Sequence, residues 1–138
     1  MASTYSTLKK ETTNSIDIID ITDQVAAIVE KSSILNGSVN IFVAGSTAAL
    51  TTIEYESGVI NDLKNAIERL APRDMHYTHD SKWGDGNGFA HVRAALLGPS
   101  LAVPLINGNL ILGTWQQIVL CDFDNHPRTR EVFVQINS

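Results

Sequence analysis

Apolar residues alternate with polar ones near both ends of the chain and fall at helical spacing in the middle. Residues 4–12, rich in Thr, Ser and Tyr, predict a half-exposed strand, and Ile16, Ile18 and Asp20 continue the alternation. Thr22 is placed to cap a helix whose first turn carries Asp23 and whose face is Val25, Ile28 and Val29, with Gly37 as its stop or the following turn. Val39, Ile41 and Val43 alternate with Asn40 and Phe42 as a central strand, and the β-branched run at 50–53 reads as another. Val59, Ile60, Leu63, Ala66, Ile67 and Leu70 then share one helical face, with Asp62, Lys64, Asn65, Glu68 and Arg69 outside and Pro72 just beyond.

Residues 71–90 have no clear period, and loops longer than about 12–15 residues in compact domains are usually functional or disordered. Tyr77, Trp83 and Phe89 argue against disorder, and residues 91–97 form a short helix stopped by Gly98 and Pro99. The last third is strand-like. Residues 101–106 lead into Asn107-Gly108, a hairpin signal. Residues 110–123 read as one long strand with Ile111, Trp115, Val119, Cys121 and Phe123 on one face and a bulge at Gly113, and Val132, Val134 and Ile136 close the sheet. The pattern predicts an α+β fold, a largely antiparallel sheet or sandwich with two to three helices on one side.

Composition narrows the class. The 138 residues fit one domain spanning 1–138, large enough to bury about two thirds of its unfolded surface. With 43% hydrophobic and 18% charged residues the chain is globular, not disordered. A net charge of −5 and no basic run beyond Lys9-Lys10 exclude a nucleic-acid-binding surface. No apolar stretch reaches the ~18 residues of a membrane span, and a single cysteine, Cys121, fits a reducing, cytoplasmic location.

The chain lacks a P-loop, a dinucleotide-binding glycine fingerprint, a nucleophile elbow and an EF-hand loop. Four groupings remain. Gly45, Ser46 and Thr47 follow an apolar strand; small and hydroxylated residues there leave backbone N–H groups free for a phosphate or carboxylate, or else form a plain capped turn. Glu54 and Glu56 flank Tyr55 at the next strand end, where a carboxylate serves as general base or metal ligand, or is simply solvated. His79, Asp85, Asn87 and His91 lie within thirteen residues of one another, as a three-ligand metal site (His79, Asp85, His91), an acid–base pair, or ordinary hydrogen-bonded side chains. Gln116 and Gln117 interrupt an apolar strand, and one of them faces a ligand or a subunit interface. Trp115 and Cys121 read as core, and His76 and His126 as surface turn residues.

Taken in order, GSTAALTTIEYE (45–56), Asp62, His79, DGNGFAHVRAALLGPS (85–100), VPLINGNLILGTWQQIVL (103–120) and the turn of Arg128 and Arg130 resemble the YjbQ-like family, also called the secondary thiamine-phosphate synthase family. The resemblance covers roughly residues 41–136. It implies an α+β sandwich that assembles as a homotrimer with sites near subunit interfaces. It also implies an auxiliary thiamine-phosphate synthase activity, the condensation of a pyrimidine diphosphate with a thiazole phosphate and release of pyrophosphate. The positions it carries over are Ser46, Thr47, Glu54, Asp62, His79, His91 and Gln116. Many members of that family have His where this chain has Gly45, and some have another where it has Gly84 or Phe89, so the histidine set is reduced here to His79 and His91.

The residues and the resemblance together set out a site. Glu54, Asp62, His79 and His91 are the catalytic candidates; Ser46, Thr47, Gly86, Asn87 and Gln116 are the ligand- and phosphate-binding candidates. A divalent metal, Zn²⁺ or Mg²⁺, is the expected helper, and Arg93 and Arg128 are the basic residues near the matching blocks. The expected partner is a small phosphorylated metabolite. The alternative readings are a trimeric binder of such a metabolite or of a metal without turnover, and a trimer whose loop serves only assembly.

Overall fold

The computed structural model describes residues 2–138. In chain order the elements are β1 (Ser3–Glu11), β2 (Asp17–Asp20), α1 (Thr22–Ser32), β3 (Gly37–Val43), β4 (Ala48–Ile53), α2 (Ser57–Leu70), α3 (Thr78–Trp83), α4 (Gly88–Leu97), β5 (Ser100–Ile106), β6 (Asn109–Leu110), β7 (Gln117–Asp122) and β8 (Thr129–Asn137). A five-stranded sheet has the order β1-β8-β3-β5-β6, and a three-stranded sheet the order β2-β7-β4. Every pairing is antiparallel.

The two sheets stack. Val39, Ile41, Val43, Val132, Val134 and Ile136 of the large sheet meet Leu50, Ile118 and Leu120 of the small one, and α1 closes the layer with Val25 and Val29. The opposite face of the small sheet carries Ile18, Ala49, Val119 and Cys121, covered by Ile67 of α2 and by Phe89, Ala90 and Ala94 of α4. β7 is therefore buried on both faces, which explains its unbroken run Ile118-Val119-Leu120-Cys121 where a half-exposed strand would alternate. Each of its large apolar side chains contributes roughly 1.5–3 kcal/mol by leaving water. Burial pushes the Cys121 thiol up to about 12, so it packs as an apolar side chain.

Most predicted elements are present, including the central strand β3 and the hairpin turn, where Asn107 and Gly108 both take positive φ (51° and 79°). Three expectations change. Among the described residues the helices number four, not two to three, because α3 forms inside the stretch read as an irregular loop. The long strand at 110–123 is broken. Residues 111–116 form a loop, and Trp115 is 73% exposed rather than core. Gln116 ties that loop down, its Oε1 receiving the Gly113 N–H at 2.9 Å and its Nε2 donating to Thr52 Oγ1 at 2.9 Å. Thr22 does not cap α1 with its side chain; its hydroxyl donates to Asp20 Oδ1 (2.6 Å) and receives the Ile118 N–H (2.8 Å), fastening the helix start to β7.

Candidate anion-binding cleft

Four chain segments converge at one end of the sandwich: the loop after β3, the loop between α3 and α4, the last residue of β7 with the turn beyond it, and the start of β8. They enclose a cleft of about 330 Å³ lined by Gly45, Ser46, Thr47, Asp85, Asn87, His91, Asp124, Arg128 and Arg130.

Its floor is a buried polar network. Asp122 ends β7 with no exposed surface, and Arg130 Nε donates to its Oδ2 at 2.5 Å. Arg130 Nη2 donates to Thr47 Oγ1 at 2.5 Å, and the same hydroxyl donates to Asp124 Oδ2 at 2.8 Å. Asp124 also receives Asn87 Nδ2 (3.2 Å), the His126 N–H (2.9 Å) and Arg128, whose Nε is 3.2 Å away. Burial raises the Asp124 carboxyl, but hydrogen bonds from Thr47, His126 N–H, Asn87 and Arg128 outweigh it and hold the group at about 2. Burial pushes Asp122 above its ordinary value against the opposing pull of Arg130.

Two features of the lining are open to a ligand. The backbone N–H groups of Gly45, Ser46 and Thr47 have no acceptor among the described residues. Arg130 spends Nε and Nη2 inside the protein, while Nη1 has no hydrogen-bond partner there and is not sealed from solvent. The Ser46 hydroxyl is exposed beside them, and Arg128 stands half-exposed at the rim. Consecutive N–H groups next to two guanidinium groups form a concavity suited to an anion.

The other rim carries the histidines. His79 on α3 and His91 on α4 face each other with ring centroids 4.6 Å apart. His79 Nδ1 lies 3.3 Å from both Asp80 Oδ1 and Asp85 Oδ1. These three residues offer ligand atoms that all lie within 4.8 Å of one another. One imidazole and two carboxylates at these separations are a donor set that could hold a divalent cation such as Zn²⁺ or Mg²⁺. Asp80 takes the place in this triad that the sequence assigns to His91. Its Oδ1 also receives the Gly88 N–H at 2.8 Å, which orients it.

The structure thus brings together Ser46, Thr47, Asp85, Asn87 and His91, with His79 beside them. Asn87 is buried and its amide is used internally: Nδ2 holds Asp124 and Oδ1 receives the Asn125 N–H at 3.1 Å. Gly86, at φ 65°, makes the turn that sets Asn87 back toward Asp124. Glu54 and Gln116 lie elsewhere. β4 runs away from the cleft, which puts Glu54 about 20 Å beyond Thr47 on the exposed far edge, and Gln116 sits at that same far end beside Thr52. Asp62 is on the exposed face of α2. Glu56 is the N-cap of α2, its carboxylate receiving the N–H groups of Gly58 (2.7 Å) and Val59 (2.9 Å). Arg93 points into the helix layer, where it donates to the Ala71 carbonyl at 2.9 Å, pairs with Glu68 and lies over Phe89.

The motif reading passed over Asp122 and Asp124, and it quoted Arg130 only as part of a matching turn, without a role in the site. Their signal is one of phase. Arg130 is spaced in twos from Val132, Val134 and Ile136, and Asp122 likewise from Ile118 and Leu120, so each is a charge on a core face that needs a partner.

Among the described residues no helix is long and apolar enough to cross a membrane. The family model described as UPF0047 protein YjbQ-like matches residues 6–138. A UPF0047 protein of Methanothermobacter thermautotrophicus is 40% identical over 129 residues, covering 94% of this chain and 88% of the relative. One from Archaeoglobus fulgidus is 42% identical over 128 residues, covering 93% and 97%. The crystal structure of a YbjQ-like protein of unknown function from Sulfolobus solfataricus P2 superposes with a TM-score of 0.87 at 35% identity, covering 98% of each chain. A Clostridium acetobutylicum member of the yjbq/upf0047 family gives 0.87 at 34% identity, covering 96% and 99%. The residue blocks, the fold and these relatives agree, and the chain belongs to the UPF0047 protein YjbQ-like family.

Proposed function

We propose that the cleft binds a small phosphorylated metabolite and that the chain acts on it as a thiamine-phosphate synthase-like transferase, condensing a pyrimidine diphosphate with a thiazole phosphate. The observation that carries the phosphate reading is that residues 45–47, whose N–H groups have no partner, line one cleft with Arg128 and Arg130. The transfer itself rests on the family resemblance. In that reaction the C–O bond to the diphosphate breaks, a C–N bond forms to the thiazole nitrogen, and pyrophosphate leaves carrying the electron pair. The leaving charge needs donors already in place, and the 45–47 N–H groups, the Ser46 hydroxyl and the two arginines supply them. His91, on the cleft lining, is within reach of a phosphate held there and is placed to exchange a proton with its oxygens.

A divalent metal on His79, Asp80 and Asp85 would add positive charge at the edge of the same cleft. Mg²⁺ would serve with phosphate oxygens and water completing its shell, and Zn²⁺ through its affinity for imidazole and carboxylate donors. The wider reading is a cytoplasmic homotrimer. Glu54, Asp62 and Gln116, exposed away from the cleft of their own chain, are available to a site shared with a neighbouring subunit.

A second reading, binding without turnover, is favoured by the internal engagement of Asp124, which leaves Asp85 as the one carboxylate at the cleft with an exposed side chain. One assay separates the two. Pyrophosphate release that requires both substrates and collapses in His91→Ala supports the transferase. Phosphate binding with no release, with or without Zn²⁺ or Mg²⁺, leaves the binder.

A further inference from the structure

Gly45 has no positive φ to explain it, so its glycine answers to a neighbour and not to the backbone. A Cβ placed there would stand 2.6 Å from Arg130 Nη1 and 3.5 Å from Cζ. A terminal nitrogen on a flexible side chain normally yields to such a contact. Arg130 is held instead at two points, by Asp122 on Nε and by Thr47 on Nη2, with only 9% of its side chain exposed. The absent side chain at position 45 is therefore the opening through which Nη1 meets the cleft.

The way the guanidinium is held also determines what it reads. A free arginine offers five N–H donors around its rim and turns whichever of them suits the ligand. Here Asp122 takes the Nε hydrogen and Thr47 one of the two on Nη2, so a ligand meets only the outer end of the guanidinium, and Ser46, Arg128 and the 45–47 loop line the cleft around it. Donors that converge from separate elements suit an anion with oxygens in several directions. We propose that Gly45 is a specificity-determining residue: by exposing Arg130 end-on it makes the cleft select a tetrahedral oxyanion over a carboxylate. This rests on the phosphate-cleft reading above and names the chemistry that the cleft accepts.

The test is calorimetric titration of the full chain with inorganic phosphate, sulfate and malonate, the last a planar-carboxylate dianion. The parent protein, Gly45→Ala and Arg130→Lys are compared, each at a temperature where its melting curve shows it folded. The parent is expected to bind phosphate and sulfate at least tenfold more tightly than malonate. Gly45→Ala is expected to lose at least tenfold in phosphate affinity. Arg130→Lys, which keeps the charge but not the end-on nitrogen, is expected to lose most of the phosphate-to-malonate preference. Phosphate bound equally well by Gly45→Ala, or a preference that survives in Arg130→Lys, would overturn the role of Gly45. Malonate bound as tightly as phosphate by the parent would overturn the selectivity while sparing the anion cleft. A parent that binds none of the three anions would remove the cleft reading itself.

Discussion

Thr47 and Asp124, 77 positions apart in the chain, are joined by a buried hydrogen bond of 2.8 Å. Because the same hydroxyl accepts from Arg130 at 2.5 Å, one side chain couples the loop after β3 to the turn after β7 and to the first residues of β8. The unpartnered N–H groups of residues 45–47 belong to that same loop, so the network that stabilises this end of the sandwich also shapes the cleft. Thr47→Val keeps the shape and removes the hydroxyl, which leaves a donor on Arg130 and an acceptor on Asp124 unmatched. A loss of about 2–3 kcal/mol is expected in urea denaturation, against under about 1 kcal/mol for Thr47→Ser.

Arg130 and Asp122 are both buried, and neither tolerates the loss of the other. Arg130→Met strands a buried carboxylate and is expected to cost about 3–5 kcal/mol. Adding Asp122→Asn is expected to return part of that loss. A double-mutant cycle with strictly additive costs would show that the pair is not coupled.

Acid should loosen this end of the molecule. Asp124 is held at about 2 against an ordinary value of 3.8, so the folded state prefers its ionised form. Its contribution of about 2 kcal/mol is complete above the unfolded value and is lost as pH falls from about 4 through 2. Asp124→Asn is expected to flatten the stability-versus-pH curve in that window, with denaturation midpoints measured between pH 2 and 6.

Metal uptake separates His79 from His91. The donor set is His79, Asp80 and Asp85, and the His91 ring lies against His79 at a tilt of 41° without joining it. His79→Ala and Asp85→Asn are expected to abolish Zn²⁺ binding in equilibrium dialysis, whereas His91→Ala retains it within about tenfold. The same loss in His91→Ala as in His79→Ala would show that His91 is a ligand after all.

Much of the architecture was legible because burial on one face writes itself as alternation. Val132, Val134 and Ile136 gave β8, and Val39, Ile41 and Val43 gave β3. The pattern misled at 110–123, where the hydrophobicity of Ile111 and Trp115 suggested core although both lie on an exposed loop. It was silent at α3, whose six residues are too few to show a helical period. In the site, the free N–H groups at 45–47 were readable from small residues after an apolar strand. The partners Asp122, Asp124 and Arg130 were harder to find, since their meeting depends on how two sheets stack and not on spacing along the chain. Glu54 stands next to its motif in sequence, yet β4 carries it to the opposite end of the sandwich.

The most direct measurement is an amide-resonance titration of the ¹⁵N-labelled protein with pyrophosphate, because the central claim concerns particular N–H groups. The Gly45, Ser46 and Thr47 amides, together with the Arg128 and Arg130 side-chain signals, are expected to shift and saturate together, and Arg128→Gln to weaken that response. Saturating pyrophosphate that leaves these three amides unmoved, or that moves only signals elsewhere, would contradict the assignment of this cleft.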